Sequence, residues 1–209
     1  MYQPVHFVEE DMPTLYSLIR AHPLGLLISA DADDLQANPV PFLLDTGAGE
    51  LGTLRAHVAR ANPQWQHLAQ GAKALAVFQG TDAYVTPSWY QSKKDHGKVV
   101  PTWNYVCVQV RGKVRIMDDP AWLYSQLTAL TAQHEGGRPE AWSIDDAPAS
   151  YIEMQKRAIV GIEMEITDIV GKWKVSQNRP VADRAGVVNG LLQEGEQEMA
   201  SLVRQYGKL

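Results

Sequence analysis

The chain has 209 residues, of which 45% are hydrophobic and 21% are charged, with 16 Gly and 12 Pro distributed along it. This composition excludes collagen-like, disordered and coiled-coil proteins and predicts a globular fold. The net charge of -5 disfavours a protein that binds nucleic acid over its whole surface, and the single cysteine excludes an intramolecular disulfide.

Two helix starts are visible in the first part of the chain. Acidic residues at 9–11 followed by Pro13 predict a helix of about three turns. Asn62-Pro63 predicts a second helix, in which Asn is the N-cap and Pro is the first helical residue. Between them, apolar runs separated by turn residues predict short strands, and Pro39 and Pro41 place one of these strands at a sheet edge.

The strand that begins at Val106 has the clearest pattern. Its apolar residues alternate with polar or charged residues up to Ile116, which predicts one face in the core and one toward solvent. Six or more short antiparallel strands with several helices predict a mainly β (α+β) fold, a small antiparallel barrel with flanking helices. Residues 1–209 are predicted to form one domain with a helical C-terminal extension over about 185–209. The predicted strands are 24–29, 39–44, 51–58, 73–80, 83–86, 106–116 and 162–166, with a turn at 31–34, and the predicted helices are 9–22, 62–71, 118–130, 149–158 and 187–206.

Neither a membrane span nor a signal sequence is visible. No apolar run approaches the ~20 residues that a transmembrane helix needs, and the first residues are neither basic nor strongly apolar. We therefore expect a cytoplasmic protein without a membrane partner.

Positive charge is concentrated in the middle of the chain. Residues 53–115 contain nine Lys or Arg and two Asp, whereas the segments on both sides are acidic. Such a block is typical of an anionic partner or of a solvated face that pairs with acidic segments, and both interpretations stay open. Within it, the polar strand face formed by Arg111, Lys113 and Arg115 is a candidate for contacts with DNA phosphates, although a solvated face explains the same pattern.

The sequence has no motif for a metal or a nucleophile. The histidines form no His-Glu-x-x-His pair, Cys107 has no second ligand at a suitable spacing, and neither Ser29 nor Ser88 lies in a Gly-x-Ser-x-Gly elbow. The phosphate-binding motifs Gly-x-Gly-x-x-Gly and Gly-Lys-Ser/Thr are also absent. We therefore predict no metal site and assign no catalytic residue.

Three segments combine tryptophan with basic and amide side chains. In the first, 55–65, two arginines lead into the capped helix, and Arg60 with the helix N-terminus would suit a phosphate. The second, 84–105, contains five aromatic residues and three lysines, and the third is 172–180. Aromatic surfaces beside cationic and hydrogen-bonding groups suit a planar ligand with an acidic tail; the alternative is that the rings close one end of a barrel.

Four ordered blocks resemble the PaiB family, the FMN-binding negative transcriptional regulators. The blocks are Arg55–Trp65, Tyr84–Tyr90, Val100–Tyr105 and Trp173–Pro180, and the resemblance covers nearly the whole chain. It implies a six-stranded antiparallel split β-barrel of the kind shared with pyridoxamine-phosphate oxidase and flavin reductases. It also implies a homodimer with an FMN site at each end of the interface.

The resemblance assigns the FMN phosphate to Arg60 and Asn62, with His57 nearer the ribityl chain. The Ser-Arg-Lys phosphate triplet of the oxidases is replaced here by Arg60-Ala61-Asn62. The resemblance assigns the isoalloxazine ring to side chains of the same or the partner subunit, namely Lys93, Thr102, Trp103, Asn104, Trp173 and Gln177.

Three functions follow as hypotheses. The resemblance implies an FMN-binding regulator, for which direct DNA binding has little support because no helix-turn-helix is apparent. The alternative is a flavin-dependent oxidoreductase that passes electrons between NAD(P)H and a small substrate, with the flavin carrying the redox chemistry. The third is haem binding or degradation, for which the sequence marks no histidine as an axial ligand.

Overall fold

The chain folds into an antiparallel sheet with flanking helices in this computed structural model, which describes residues 1–30 and 34–209. The turn predicted at 31–34 lies outside the described residues except for Asp34. The strands are β1 (Val8–Glu9), β2 (Leu24–Ala30), β3 (Leu35–Pro41), β4 (Leu43–Asp45), β5 (Thr53–Ala59), β6 (Lys73–Val85), β7 (Thr102–Met117) and β8 (Ile159–Lys174). The helices are α1 (Met12–Ala21), α2 (Gln64–Ala69), α3 (Gln91–Asp95), α4 (Pro120–Glu135), α5 (Ala149–Arg157), α6 (Val181–Gln193) and α7 (Gln197–Gly207).

The described residues form one sheet of eight strands in the order β3-β2-β6-β7-β8-β5-β4, with β1 paired to β8. The predicted mainly antiparallel sheet with helices is confirmed, whereas the predicted count of six strands is not. β3 lies at one end of this order and contains Pro39 and Pro41, so the predicted edge position of the prolines is confirmed.

Three predicted strand extents are wrong. The strand predicted at 162–166 is only the middle of the longer β8 (Ile159–Lys174), and two other segments are divided differently from the prediction. The segment predicted as one strand over 39–44 is divided at Phe42 into the end of β3 and β4. The division occurs because the Phe42 N–H donates to the Pro23 carbonyl (2.8 Å) and its ring packs edge-to-face on Phe78, with centroids 5.4 Å apart. The strands predicted at 73–80 and 83–86 are one continuous strand, β6.

The chain comprises two compact units. The terminal unit contains residues 1–18, 79–108 and 170–209, and the central unit contains 19–78 and 109–169. In the central unit, inward-facing residues of β2, β5 and β8 form a fully buried apolar core that includes Leu27, Leu54 and Ile162. This core positions the polar residues that end β5 and begin α2.

In the terminal unit, the C-terminal segment predicted as one helix over 187–206 forms two helices. The chain turns between α6 and α7 at Gly195, whose φ of +86° lies in the region that favours glycine. Trp89 packs against α6 so closely that a Cβ at Gly190 would lie 2.2 Å from the indole ring. Trp89, an aromatic residue of the second tryptophan-containing segment, therefore has a packing role.

The described part of the chain contains neither a membrane-spanning helix nor a group of metal ligands. None of its helices is long and apolar enough to cross a membrane. Within residues 1–30 and 34–209, no three His, Cys, Asp or Glu side chains are grouped in a way that would hold a metal ion.

Candidate ligand-binding groove

Arg60, which the resemblance assigns to the FMN phosphate, is held by other groups of the central unit. Its Nη1 donates to Asp118 Oδ2 (3.0 Å), its Nε donates to the Arg157 carbonyl (2.9 Å), and its Nη2 donates to Asp118 Oδ1 and the Ile159 carbonyl. These contacts use four of the five N–H donors of the guanidinium. Hydrogen bonding between the two side chains raises the pKa of Arg60 and lowers the pKa of Asp118. Arg60 thus links the end of β5 to the segment before α4 and to the α5–β8 junction.

His57 and Asn62 also make contacts within the central unit. His57 Nδ1 lies 3.1 Å from Gln126 Oε1 in α4, which assigns the ring proton to Nδ1 if this amide orientation is kept. Burial lowers the pKa of His57, and the hydrogen bond with Gln126 opposes this effect only in part. Asn62 Oδ1 accepts a hydrogen bond from the N–H of Gln64 (3.0 Å), the first residue of α2, but the N-cap position is occupied by Pro63, one residue after the predicted cap.

The remaining arginines of the basic middle segment are paired with carboxylates as well. Arg55 Nη2 lies 3.0 Å from Asp45 Oδ2, and Arg55 also contacts Glu163. On the polar face of β7, Arg111 Nη1 lies 2.9 Å from Asp168 Oδ2 and Arg115 pairs with Glu163. For these arginines, the interpretation as a solvated face paired with acidic segments describes the structure better than an open anion site.

A groove in the terminal unit is lined by aromatic and polar side chains of β6 and β7. Residues Val106 and Val108 of β7 are buried, so the alternate residues point to the other face, where three of them line the groove. The groove has a volume of about 400 Å³ and is lined by Gln79, Asp82, Trp103, Tyr105 and Cys107.

Trp103 is the exposed aromatic wall of this groove. Its side chain is 54% exposed and packs edge-to-face on Tyr84, with centroids 6.0 Å apart. At the edge of the groove, Gln79 Nε2 donates a hydrogen bond to Asp82 Oδ2 (3.2 Å). At Cys107, which also lines the groove, burial raises the pKa of the thiol. The groove therefore offers a flat apolar surface with an amide and a carboxylate at its edge, as a planar ligand requires.

Two lysines of β8 lie over one of the groove rings. The ammonium groups of Lys172 and Lys174 are 5.2 Å and 5.8 Å from the centroid of Tyr105, within the range of a cation–π contact. Among residues 1–30 and 34–209, no carboxylate lies within 4 Å of either ammonium group. Burial lowers the pKa of Lys174, and the positive charges of Lys172 and Arg179 lower it further.

Thr102 and Asn104 of β7 contact the end of β8 and the turn after it. Lys174 Nζ donates to Thr102 Oγ1 and to the Trp103 carbonyl. Asn104 is buried and exchanges hydrogen bonds with Ser176, whose φ of +67° is unusual for a residue other than glycine. Asn104 therefore anchors the turn that follows β8.

The other residues assigned to the ring by resemblance have local contacts. Trp173 is 4% exposed, and Gln177 donates to the Trp173 carbonyl and accepts from the Val175 N–H (2.8 Å). Lys93 is exposed and donates to Ser88 Oγ (3.2 Å). Of the nine residues assigned to FMN from the sequence, Trp103 lines the groove and Thr102 contacts a lysine beside it. Six of the nine belong to the terminal unit, and His57, Arg60 and Asn62 belong to the central unit.

Sequence reasoning did not assign Tyr105, Lys172 or Lys174 to the site. All three lie within segments that the sequence marks as tryptophan-containing clusters, but the resemblance assigns other residues of those segments to the ring. The sequence feature that could have identified the two lysines is their alternation with Trp173. Because residues 172–174 end β8, this alternation puts both lysines on the same face of the strand.

The fold and the groove define an antiparallel β-sheet protein with a surface for a flat, ring-bearing ligand. The family model described as "Putative FMN-binding domain" matches residues 1–168 of the chain. Since this is well over half of the sequence, the chain belongs to that FMN-binding family. Its cofactor is thus FMN, as expected from the sequence.

Relatives and solved structures agree with this assignment. An uncharacterized protein of Emericella nidulans is 36% identical over 247 aligned positions, which cover 100% of this chain and 98% of that protein. Protease synthase and sporulation protein PAI 2 of Bacillus subtilis is 27% identical over 209 positions, covering 97% of this chain and 96% of that protein. With the family match, this similarity confirms the PaiB resemblance.

Similarity to solved structures extends to the fold. The flavocytochrome Anf3 from Azotobacter vinelandii superposes with a TM-score of 0.60 at 16% identity, covering 80% of this chain and 69% of that one. The FAD and heme binding protein from Mycobacterium smegmatis superposes with a TM-score of 0.57 at 19% identity, covering 80% and 73%. The antiparallel sheet of this chain is thus shared with both proteins.

Proposed function

We propose that the protein is an FMN-binding negative regulator of transcription that acts as a homodimer built on a split β-barrel, and that FMN binds in the groove of the terminal unit. The observation that carries the site is the combination of an exposed indole at Trp103 with two ammonium groups over the adjacent Tyr105 ring, neither of which has a carboxylate of residues 1–30 or 34–209 within 4 Å. A flat aromatic wall suits an isoalloxazine ring, and ammonium groups suit a phosphate that carries about two negative charges at neutral pH.

The residues present fit FMN by their chemistry. Trp103 and Tyr105 supply stacking surface, Gln79 supplies an amide for the polar edge of a ring, and Thr102 fixes one lysine beside the groove. Bound FMN would supply redox chemistry, and the chain would bind and orient it. Among the other residues assigned by resemblance, Asn104 and Gln177 would hold the adjoining turn.

FMN binding is tested by titration of the purified protein. We expect a yellow protein and quenching of tryptophan fluorescence on addition of FMN, and we expect Trp103→Ala to weaken binding by about 1–3 kcal/mol, the range measured for aromatic stacking of a heterocyclic base. The control is Trp142→Ala, which removes another half-exposed tryptophan (46%) that lies outside the groove. If FMN leaves the fluorescence of the wild-type protein unchanged, the proposed site is wrong.

The homodimer is supported by an apolar surface on the central unit. Residues opposite one another in an antiparallel pair share a face, and β2 is paired with β3 on one side and β6 on the other. The face that points away from Leu27 is apolar on all three strands except at Lys73, which lies opposite Ala30 at the start of β6. It consists of Leu24, Leu26, Ile28 and Ala30 on β2, Leu35, Ala37, Pro39 and Pro41 on β3, and Leu75 and Val77 on β6.

This apolar face is exposed in the single chain. Leu24 is 66% exposed and Leu35 is 70% exposed, whereas a sheet with one solvated face normally alternates apolar with polar residues. A contiguous apolar face of this kind marks an interaction surface. A second copy is the occupant we propose, because an isologous contact lets the same apolar face cover itself, with the ammonium group of Lys73 at its rim.

The dimer is tested with two leucines of equal exposure. Leu26 (38% exposed) lies on the apolar face and Leu192 (39% exposed) lies on α6. We expect Leu26→Lys to weaken dimerisation by ~100-fold or more, since each copy loses the burial of a leucine and gains a charge, and Leu192→Lys to leave it unchanged. Light scattering over a concentration series measures the effect. A monomeric wild-type protein, or equal effects of both variants, would remove the homodimer from the proposal.

The regulatory role is tested in the host cell. We expect deletion of the gene to raise a defined set of transcripts, and we expect wild-type protein but not the Trp103→Ala variant to restore them. Because Arg111 and Arg115 of β7 are paired with Asp168 and Glu163, we do not assign DNA contacts to that strand face. Unchanged transcripts together with rapid NADH or NADPH oxidation by the FMN-loaded protein would favour the flavin-dependent oxidoreductase instead.

A further inference from the structure

We infer that Lys172 and Lys174 form the subsite for the phosphate group of the ligand in the groove. This inference rests on the proposed FMN site and names the groups that hold the tail of the cofactor. It differs from the assignment by resemblance, which gives the phosphate to Arg60 and Asn62.

Tyr105 connects the lysines to the groove. Its ring is one wall of the groove, and both ammonium groups lie within 6 Å of its centroid, at 5.2 Å and 5.8 Å. Lys174 Nζ also contacts the Trp103 carbonyl, and Trp103 is the neighbouring wall. A ligand that stacks on Trp103 or Tyr105 therefore has two cations next to it.

The positive charges of the two lysines favour a bound anion. Lys172 is 7% exposed, and the described residues place no carboxylate within 4 Å of it or of Lys174. Burying an ammonium group without a counter-ion is costly, and a cation–π contact offsets only part of that cost. The acid of the groove, Asp82, accepts a hydrogen bond from Gln79 rather than from a lysine.

The two ammonium groups are also positioned with donors to spare. An ammonium group has three N–H donors. Lys172 uses one on the Tyr2 carbonyl (3.1 Å), and Lys174 uses two, on Thr102 Oγ1 and the Trp103 carbonyl. These contacts fix both ammonium groups against Tyr105, which is a wall of the groove, so little side-chain entropy is lost when they bind phosphate oxygens.

Arg60 is in the opposite state. Its guanidinium is engaged by Asp118 and by the Arg157 and Ile159 carbonyls, with four of five donors used. A phosphate at Arg60 would have to displace the carboxylate of Asp118. At Lys172 and Lys174 no carboxylate of the described residues has to leave.

The test compares ligands that differ only in the phosphate. FMN and riboflavin are titrated against wild-type protein, Lys174→Met, Lys172→Met and the control Lys113→Met, which removes an exposed lysine of the central unit. We expect each of the first two variants to weaken FMN binding by about 10- to 100-fold, the loss of a hydrogen bond to a charged group, while riboflavin binding is unchanged. Inorganic phosphate should compete with FMN but not with riboflavin on the wild-type protein.

The results separate this inference from the proposed function. If wild-type protein binds neither FMN nor riboflavin, the proposed function and the subsite both fall. The subsite alone is wrong if the wild-type protein binds FMN but Lys174→Met weakens the binding of FMN and of riboflavin equally. It is also wrong if Lys174→Met weakens the binding of neither ligand. Lys174→Arg keeps the charge and should restore most of the preference for FMN, which excludes a loss caused by misfolding. A lost preference in Arg60→Gln with Lys174→Met unaffected would return the phosphate to the central unit.

Discussion

The turn after β5 at Arg60 and the end of β8 at Lys174 are both rich in basic residues, but their charges are in different environments. Arg60 lies against Asp118 and two main-chain carbonyls, whereas Lys172 and Lys174 lie over an aromatic ring with no carboxylate of the described chain within 4 Å. The paired cation links segments of the fold, whereas we propose that the two lysines, which have no carboxylate of the described residues nearby, hold the ligand. The partner of each cation, rather than the local density of basic residues, separates these two roles.

The largest effect is expected from a change in the terminal unit at the contact between Trp89 and α6. Gly190→Ala puts a methyl group 2.2 Å from the Trp89 indole, so we expect it to lower the free energy of unfolding by about 1–3 kcal/mol, as overpacking does. Urea unfolding measures the change. Gly137→Ala is the matched control, because nothing lies within 4 Å of a Cβ at that position. Equal stability of the two variants would contradict close packing of Trp89 on α6.

A second change tests whether Arg60 is a structural link. We expect Arg60→Gln to lower the melting temperature because it leaves Asp118 and the Arg157 and Ile159 carbonyls without their donor. Arg111→Gln removes the exposed pair with Asp168 and should lower the melting temperature less, since such pairs contribute little. Thermal denaturation of both variants checks the order. A melting temperature unchanged by Arg60→Gln would show that the turn does not depend on this residue.

A third, smaller effect concerns pH and the turn after β5. Burial lowers the pKa of His57 below its ordinary value of 6.5, so below about pH 6.5 the unfolded chain binds more protons than the folded chain. The free energy of unfolding should therefore fall with decreasing pH, by at most about 1.4 kcal/mol per pH unit from this group. We expect His57→Gln to reduce this slope between pH 7 and 5, and His134→Gln, which changes an exposed histidine of α4, to leave it in place. Identical slopes in both variants would assign the acid sensitivity to other groups.

Local pattern was sufficient for much of the sheet. The alternation from Val106 to Ile116 predicts the middle of β7 correctly, and Asn62-Pro63 predicts the start of α2 to within one residue. Two of the failures have identifiable physical causes, one distant in sequence and one local. Phe42 divides its strand because it packs on Phe78, and the one predicted C-terminal helix is interrupted at Gly195, whose positive φ the helical pattern does not reveal.

The candidate site was less accessible to sequence reasoning for the same reason. Asp118 is 58 residues from Arg60, and Glu163 is 48 residues from Arg115, so neither pairing is visible from spacing. Lys172 and Lys174 are connected to the groove only through their contacts with the ring of Tyr105, which lies on another strand. Trp103, in contrast, belongs to the second tryptophan-containing segment and to a block that resembles the PaiB family, so the sequence alone assigns it to the ligand.

Cys107 gives the groove a natural chemical reporter. It is the single cysteine of the chain, it lines the groove, and it is 9% exposed. Burial raises the pKa of its thiol, so the reactive thiolate is scarce at neutral pH and alkylation is slow. The rate at which a maleimide labels the untouched protein therefore reads out occupancy of this one surface, with no engineered label and no second sulfhydryl to confuse the mass spectrum.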